Sequence, residues 1–364
     1  MMRRAVLALA LLLAGLPAAA KERSGGNGTI LAGTYNSSVY VIAEKDLTLA
    51  KEIPLEVGVP LGLTLSPDGT RLYVQSADLE RFDVIDMASL EIVDSFSLQD
   101  GNRHVKVWSR VIEPSNRQAL FITKTTTLHR DRFEVGPPKL LRYDLERHEV
   151  IEEIPWPEDT EREFAQILYS PDGENVFFMA EDLIVFDADT FEEIDRWELS
   201  GALSEGMGRF SFGFPSGVWA NHGAYDDPGT FTSLFHMEDP VQGRRMMGVA
   251  TVDLNERAVD FYMLGPSHPT SFSIAPDRKK AYGLHHEVGN YQIWTFDLEG
   301  RRVESKREFP GRPRMSLSVS SNGELLYIYG AGNTIDVYEA ADFKKLRTVT
   351  YDADMFSVVL LPPK

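Results

Sequence analysis

Leu63-Thr64-Leu65-Ser66-Pro67-Asp68-Gly69, followed by Arg71-Leu72-Tyr73-Val74, is the stretch on which the fold turns. Pro67 fixes φ at the first central turn position, Asp68 caps the turn with its side chain, and Gly69 takes the positive φ that re-aims the chain. The apolar runs on either side then pair as a hairpin. The unit recurs as Ile167-Leu168-Tyr169-Ser170-Pro171-Asp172-Gly173, as Phe272-Ser273-Ile274-Ala275-Pro276-Asp277, and as Leu317-Ser318-Val319-Ser320-Ser321-Asn322-Gly323. Degenerate copies stand at Val111–Asn116 and Phe212–Gly217. The turn positions 67, 114, 171, 215, 276 and 321 are separated by 47, 57, 44, 61 and 45 residues. Propeller blades run about 40–50 residues, so two repeats carry insertions.

Each hairpin is followed by a third run ending in Asp or an equivalent, such as Phe82-Asp83-Val84-Ile85-Asp86 or Val185-Phe186-Asp187, and then by a more polar fourth run. That reads as a blade of four antiparallel strands. At the N-terminal side, Thr29–Gly33, Val39–Ile42 and Leu49–Ile53 read as second, third and fourth strands lacking a first. Met355–Leu361 reads as a first strand with nothing after it. One blade shared between the two ends closes the ring and leaves no open sheet edge. The expectation is an all-β, seven-bladed β-propeller over residues 21–364.

Residues 1–20 have the pattern of a signal peptide: Arg3 and Arg4, an apolar run from Ala5 to Leu16 too short to span a bilayer, and Ala18-Ala19-Ala20. Cleavage is expected after Ala20, with export to the periplasm and no membrane anchor. Removing two arginines takes the net charge from −18 to −20. That balance excludes a phosphate-binding footprint for nucleic acid. It suits a cationic partner or simply solubility. The chain has no cysteine, which excludes thiol catalysis, thiolate metal sites and covalent c-type haem, and leaves stability to burial.

A regular repeat is scaffold, so function is sought where the repeat breaks. Two insertions stand between second and third strands: Lys124–Lys139 and Asn221–Gly248. Phe133, Val135, Trp219, Asn221, His222, Tyr225, Phe231 and Phe235 are the candidate partner-binding residues, because exposed loops seldom carry so much apolar surface without a partner. His222 and His236 with neighbouring acids lack the spacing of a metal site. His285-His286-Glu287 is weaker still, since adjacent strand residues point to opposite faces. No Gly-x-Ser-x-Gly elbow and no phosphate loop is present. The Asp residues ending the third strands read as turn formers.

The blades resemble the YVTN-type repeat propellers, an exported group. Phe133-Glu134-Val135-Gly136-Pro137 leading into Leu141-Arg142-Tyr143-Asp144, and Val218-Trp219-Ala220-Asn221-His222, resemble segments of the β subunit of quinohemoprotein amine dehydrogenase. The resemblance implies a periplasmic heterotrimer. In that family a dihaem cytochrome c subunit and a small subunit bearing cysteine tryptophylquinone oxidise primary amines. The propeller carries no cofactor, holds the small subunit and helps wall the substrate cavity. A stand-alone propeller binding a ligand or protein, and a propeller enzyme of lactonase or metal-dependent type, are the competing readings.

Overall fold

The computed structural model describes residues 23–157, 161–163, 165–179, 182–198, 229–239, 243–311, 315–330 and 332–363. The expected signal peptide lies outside them. Among the described residues there is no helix. Three strands come first: β1 (Thr29–Thr34), β2 (Ser38–Ala43) and β3 (Thr48–Pro54). The first complete sheet is β4 (Pro60–Leu65), β5 (Arg71–Ser76), β6 (Arg81–Asp86) and β7 (Glu91–Ser97). The second is β8 (Arg103–Ile112), β9 (Gln118–Leu128), β10 (Phe133–Asp144) and β11 (Glu149–Ile154). The third is β12 (Gln166–Tyr169), β13 (Asn175–Met179), β14 (Leu183–Asp187) and β15 (Glu193–Trp197).

The fourth sheet shows β16 (Thr230–Asp239), β17 (Arg244–Asp253) and β18 (Ala258–Pro266). The repeat copy expected to supply its inner strand lies outside the described residues. The fifth is β19 (Ser273–Ile274), β20 (Lys280–Glu287), β21 (Asn290–Asp297) and β22 (Arg302–Pro310). Then follow β23 (Met315–Val319), β24 (Leu325–Gly330), β25 (Gly332–Glu339) and the long β26 (Lys345–Leu361). Each strand pairs antiparallel with its chain neighbour inside its sheet, and the last sheet runs β23-β24-β25-β26-β1-β2-β3.

That last sheet divides within β26. Its first part, Lys345–Thr350, pairs with β25 as an outer strand. Its last part, Met355–Leu361, pairs with β1 from Thr34 back to Thr29, as an inner strand. The shared unit expected from the chain ends is therefore formed. Apolar clusters then join consecutive units around the domain. Phe82 and Phe121 belong to one cluster, Ile122 and Phe178 to the next, then Phe177 and Val252, Leu234 and Trp294, Leu284 and Leu317, Ile30 and Tyr327, and finally Val39 and Leu72. The last cluster returns to the unit where the first began. The chain is a β-propeller in which burial between neighbouring sheets replaces a single central core.

The turn chemistry repeats with the strands. Asp68 Oδ1 accepts hydrogen bonds from Ser66 Oγ at 2.7 Å and from the Thr70 amide at 2.9 Å, and Gly69 sits at φ 68°. At Pro114-Ser115-Asn116 the left-handed place is taken by Asn116, φ 57°, a residue that tolerates it. Turns after the third strands follow a second rule. Leu47, Leu90, His148, Phe191, Arg257, Arg301 and Phe343 all have positive φ, each four residues past the end of its third strand. The Leu90 amide closes that turn on Asp86 O at 2.8 Å, and the Phe191 amide closes on Asp187 O at 2.9 Å. Asp86, Asp144 and Asp187 also accept backbone amides two and three residues on. Those amides, led by Ser89, Arg147 and Thr190, hold the three carboxyls below the usual aspartate value.

Glu44, 1% exposed, locks the closure. Its carboxylate accepts the Gly28 amide at 2.7 Å, the Ser321 amide at 2.7 Å, the Ser321 hydroxyl, and the Tyr327 hydroxyl at 3.3 Å. It thus ties the N-terminal segment to the turn of the β23–β24 hairpin. Glu44→Ala is expected to cost about 3–5 kcal/mol, since buried donors lose a charged acceptor. Glu44→Gln keeps an oxygen acceptor and is expected to recover part of that loss. Chemical denaturation of the two variants checks the order.

Because strand direction alternates, turns between second and third strands leave from one face of the ring, together with the links between units. The Pro-Asp-Gly turns and those after third strands leave from the other. We refer to these as the hairpin face and the turn face.

Candidate functional site

The first irregular segment, and the described part of the second from residue 229 on, are strands running to the hairpin face and not the plain loops expected. The second segment begins before its unit's second strand, β16, so it does not lie wholly between second and third strands. In the second unit the strands themselves are prolonged. β9 and β10 pair from Gln118↔Asp144 out to Leu128↔Phe133, with a register shift at the Gly136-Pro137 step. Prolines cannot donate to the ladder, so the shift falls where they stand. β8 reaches outward as well, and Asn102 Nδ2 donates to Leu128 O at 2.8 Å. Lys124 forms an ion pair with Glu163 at the base of this flap, and Trp156 Nε1 donates to Pro138 O at 3.1 Å. At its tip Phe133 is 74% and Val135 58% exposed. They are two residues apart on one strand, so both rise from the same side.

The second segment is corrected more strongly. β16 and β17 run in unbroken register from Thr230↔Asp253 to Asp239↔Arg244. Phe231 and Phe235 are 3% and 1% exposed. Phe231 packs with Phe177 and Val252, while Phe235 stands edge-on to Phe261 at 5.8 Å. Opposite Phe235 is Gly248, where a Cβ would come within 2.6 Å of the Phe235 ring and 2.1 Å of Tyr262 O. The glycine makes room for the ring. Phe231 and Phe235 are therefore internal packing residues whose side chains are not offered to a partner. Met247, in the Arg244-Arg245-Met246-Met247 run, is likewise 1% exposed, among Leu234, Val249 and Trp294. Trp219, Asn221, His222 and Tyr225 lie outside the described residues.

A histidine cluster sits beside this hairpin, toward the same face. His236 Nδ1 lies 2.8 Å from Ser267 Oγ. His268 packs edge-on to Trp294 at 5.2 Å and to His285 at 5.4 Å. The buried Trp294 ring also carries Lys306 Nζ 3.5 Å from its centroid, a cation–π contact. His285 Nδ1 faces Pro269 O at 3.0 Å; a carbonyl only accepts, so that nitrogen bears the proton. His285 is buried, while His286 and Glu287 beyond it are exposed, and Glu287, on the same side of the strand, lies 3.5 Å from His285 Nε2. Among the described residues no group of three or more His, Asp or Glu side chains is placed to hold a metal ion.

Burial, with Arg245 adding, moves His236 below the usual histidine value. His268 is lowered by burial first and then by Lys306 and His285, with Glu287 opposing. In both cases the unfolded chain binds protons more readily. Their contribution to stability is full above the unfolded value of about 6.5 and is lost as pH falls through the lowered folded value. NMR titration of the imidazole C–H signals is expected to place His236 and His268 below 6.5. The acid-side loss of stability is expected to be smaller in His268→Gln.

Other apolar groups open on the hairpin face. Val288, at the β20–β21 tip, is 97% exposed, and Tyr35, at the β1–β2 tip, is 53% exposed against Phe356 at 5.5 Å. Across the inner wall, Arg110 of β8 donates to Gln75 Oε1 at 2.6 Å and Thr64 Oγ1 at 3.0 Å. Gln75 in turn donates to Val107 O at 2.7 Å. Burial pushes Arg110 down to about 10, still charged at neutral pH, and it serves as a bridge between the first two sheets. Among the described residues, this face offers exposed apolar side chains at three hairpin tips: Phe133 with Val135, Val288, and Tyr35.

No protein-family model matches the chain. No curated protein matches it either. Solved structures do. A functionally unknown protein from Desulfotomaculum acetoxidans superposes with TM-score 0.55 at 14% identity, over 93% of this chain and 100% of that one. The dihydro-heme d1 dehydrogenase NirN superposes at 0.53 and 11%, over 95% and 78%. The β-propeller domain of Cps50 (Swd1) from Myceliophteria thermophila superposes at 0.51 and 11%, over 84% and 93%. Likeness at such identities establishes the propeller fold alone.

Proposed function

We propose that this chain is the non-catalytic, seven-bladed propeller subunit of a periplasmic complex of the quinohemoprotein amine dehydrogenase kind. In it the hairpin face holds a small quinone-bearing subunit and walls the amine-substrate cavity, beside a dihaem cytochrome c subunit. The observation that carries the reading is the second-unit flap. Its tip residues Phe133 and Val135 are an exposed apolar pair, and they belong to the segment whose sequence resembles that family's β subunit. The absence of any cysteine agrees, because neither a thioether-bound haem nor the quinone crosslink can be made on this chain. Haem c and cysteine tryptophylquinone would then reside on the partner subunits.

The test is purification of the tagged chain from its native host. Co-purification of a c-type cytochrome and a small quinone-staining polypeptide, with amine-dependent dye reduction, is the expected result. Recovery of the chain alone, with neither partner, overturns the reading in favour of a stand-alone extracytoplasmic propeller.

A further inference from the structure

The flap of the second unit is opposite in charge to the chain that bears it. Over the whole sequence 55 acidic residues outnumber 37 lysines and arginines. In residues 103–108 and 124–139, which build the flap, six lysines and arginines stand against two acids. Both acids are already engaged near the tip, Asp131 with Arg132 at 3.3 Å and Glu134 with His129 at 2.9 Å. Lower down, Lys124 pairs with Glu163, and Lys139 with Glu153 at 2.6 Å. Arg103, Lys106 and Arg130 have no ion pair among the described residues, and Arg103 and Arg130 are exposed.

The strand register sets the apolar groups among these cations. Phe133 stands opposite Leu128, Val135 opposite Thr126, and Thr126 in turn opposite His104. Paired residues share one side of a sheet, so Leu128, Phe133 and Val135 form a single apolar stripe. Lys106, two residues past His104 on β8, belongs to that same side. Arg130 sits in the turn between β9 and β10, and Arg103, opposite Thr127, flanks the stripe from the other side.

An exposed apolar stripe bordered by unpaired cations is complementary to an apolar pocket with a carboxylate rim. An anionic bilayer is the poorer occupant. It would extend past the flap and face the rest of a chain of net charge −18, including the exposed Glu161 beside the flap's base. A small partner meets the flap alone.

Taking the chain as the propeller subunit of the complex, we propose that the small subunit docks on the flap through an apolar pocket rimmed by aspartate and glutamate. Phe133 and Val135 fill the pocket, while Arg103, Lys106 and Arg130 face the rim. Rim charges of this kind speed encounter and fix register.

The tagged chain and two charge-reversal variants, expressed in the native host, test it by the small subunit retained per chain at about 50 and about 500 mM NaCl. Arg103→Glu with Arg130→Glu alters the flap. Lys45→Glu with Lys344→Glu, at exposed positions on the turn face, makes the same change in net charge. Wild type and the turn-face variant are expected to retain the small subunit at low salt and to lose about tenfold at high salt. The flap variant is expected to retain about tenfold less already at low salt, with the wild-type melting midpoint. Retention indifferent to salt, full retention by the flap variant, or an equal loss in the turn-face variant overturns the acidic rim and leaves the subunit reading standing. A small subunit missing even from the wild-type chain overturns both. Wild-type binding to phosphatidylglycerol vesicles that the flap variant loses, with the small subunit still retained, gives the flap to a membrane and overturns the proposal as well.

Discussion

Deleting Met355–Lys364 is expected to leave the chain unable to fold to a soluble monomer. The segment is the inner strand of the shared unit, paired along the whole of β1. It carries Met355, Val358 and Leu360 at 1%, 5% and 6% exposure, all in the cluster that joins the two ends of the ring. Each such side chain contributes about 1.5–3 kcal/mol by burial. Three of them approach the whole stability of an ordinary domain, about 5–15 kcal/mol. The deletion also leaves β1 as an open edge, so aggregation is the expected fate. A circular permutant separates loss of closure from mere loss of chain. Linking the native ends and opening new ones between Val288 and Gly289, at an exposed hairpin tip, keeps every inner strand and is expected to fold. A truncated protein that melts with the wild-type midpoint would overturn the closure argument, as would a permutant that fails while the truncation succeeds.

The closure was legible because it rests on local pattern: a strand triplet without a first member at one end and a solitary strand at the other. The Pro-Asp-Gly turns were legible for the same reason, since their chemistry lies within four residues. The left-handed residue four places after each third strand was also in the sequence. It escaped notice because Leu47, Leu90, His148, Phe191, Arg257, Arg301 and Phe343 share no side-chain chemistry, and only their spacing from the strand end is constant. The second insertion departs from the expected loop for a different reason. Phe231, Ser233, Phe235 and Met237 alternate with period two, which is the mark of a strand. Apolarity alone does not separate a loop from a strand, whereas the alternation does; the residues lie in one row, all nearly inaccessible.

Phe133 and Val135 lead to the second large effect. In the proposed complex, Phe133→Glu with Val135→Lys is expected to weaken association with the small subunit by about 100-fold or more, since central aromatic anchors carry about 2–4 kcal/mol each. Stability of the free chain is expected to be unchanged, because both side chains already face solvent at 74% and 58% exposure. Phe235→Ala makes the converse case. Its ring is internal, so the variant is expected to lose about 3–5 kcal/mol of folding stability, and any binding loss should follow only from unfolding. Ile194, 49% exposed on the outer strand β15 away from the hairpin tips, supplies the surface control: Ile194→Asp is expected to change neither quantity. Thermal melts and co-purification stoichiometry on the same four proteins read both axes. A double variant that keeps its full complement of partners would remove the flap from the interface. A double variant that instead melts early would make the two tip residues part of the fold, as Phe235 is.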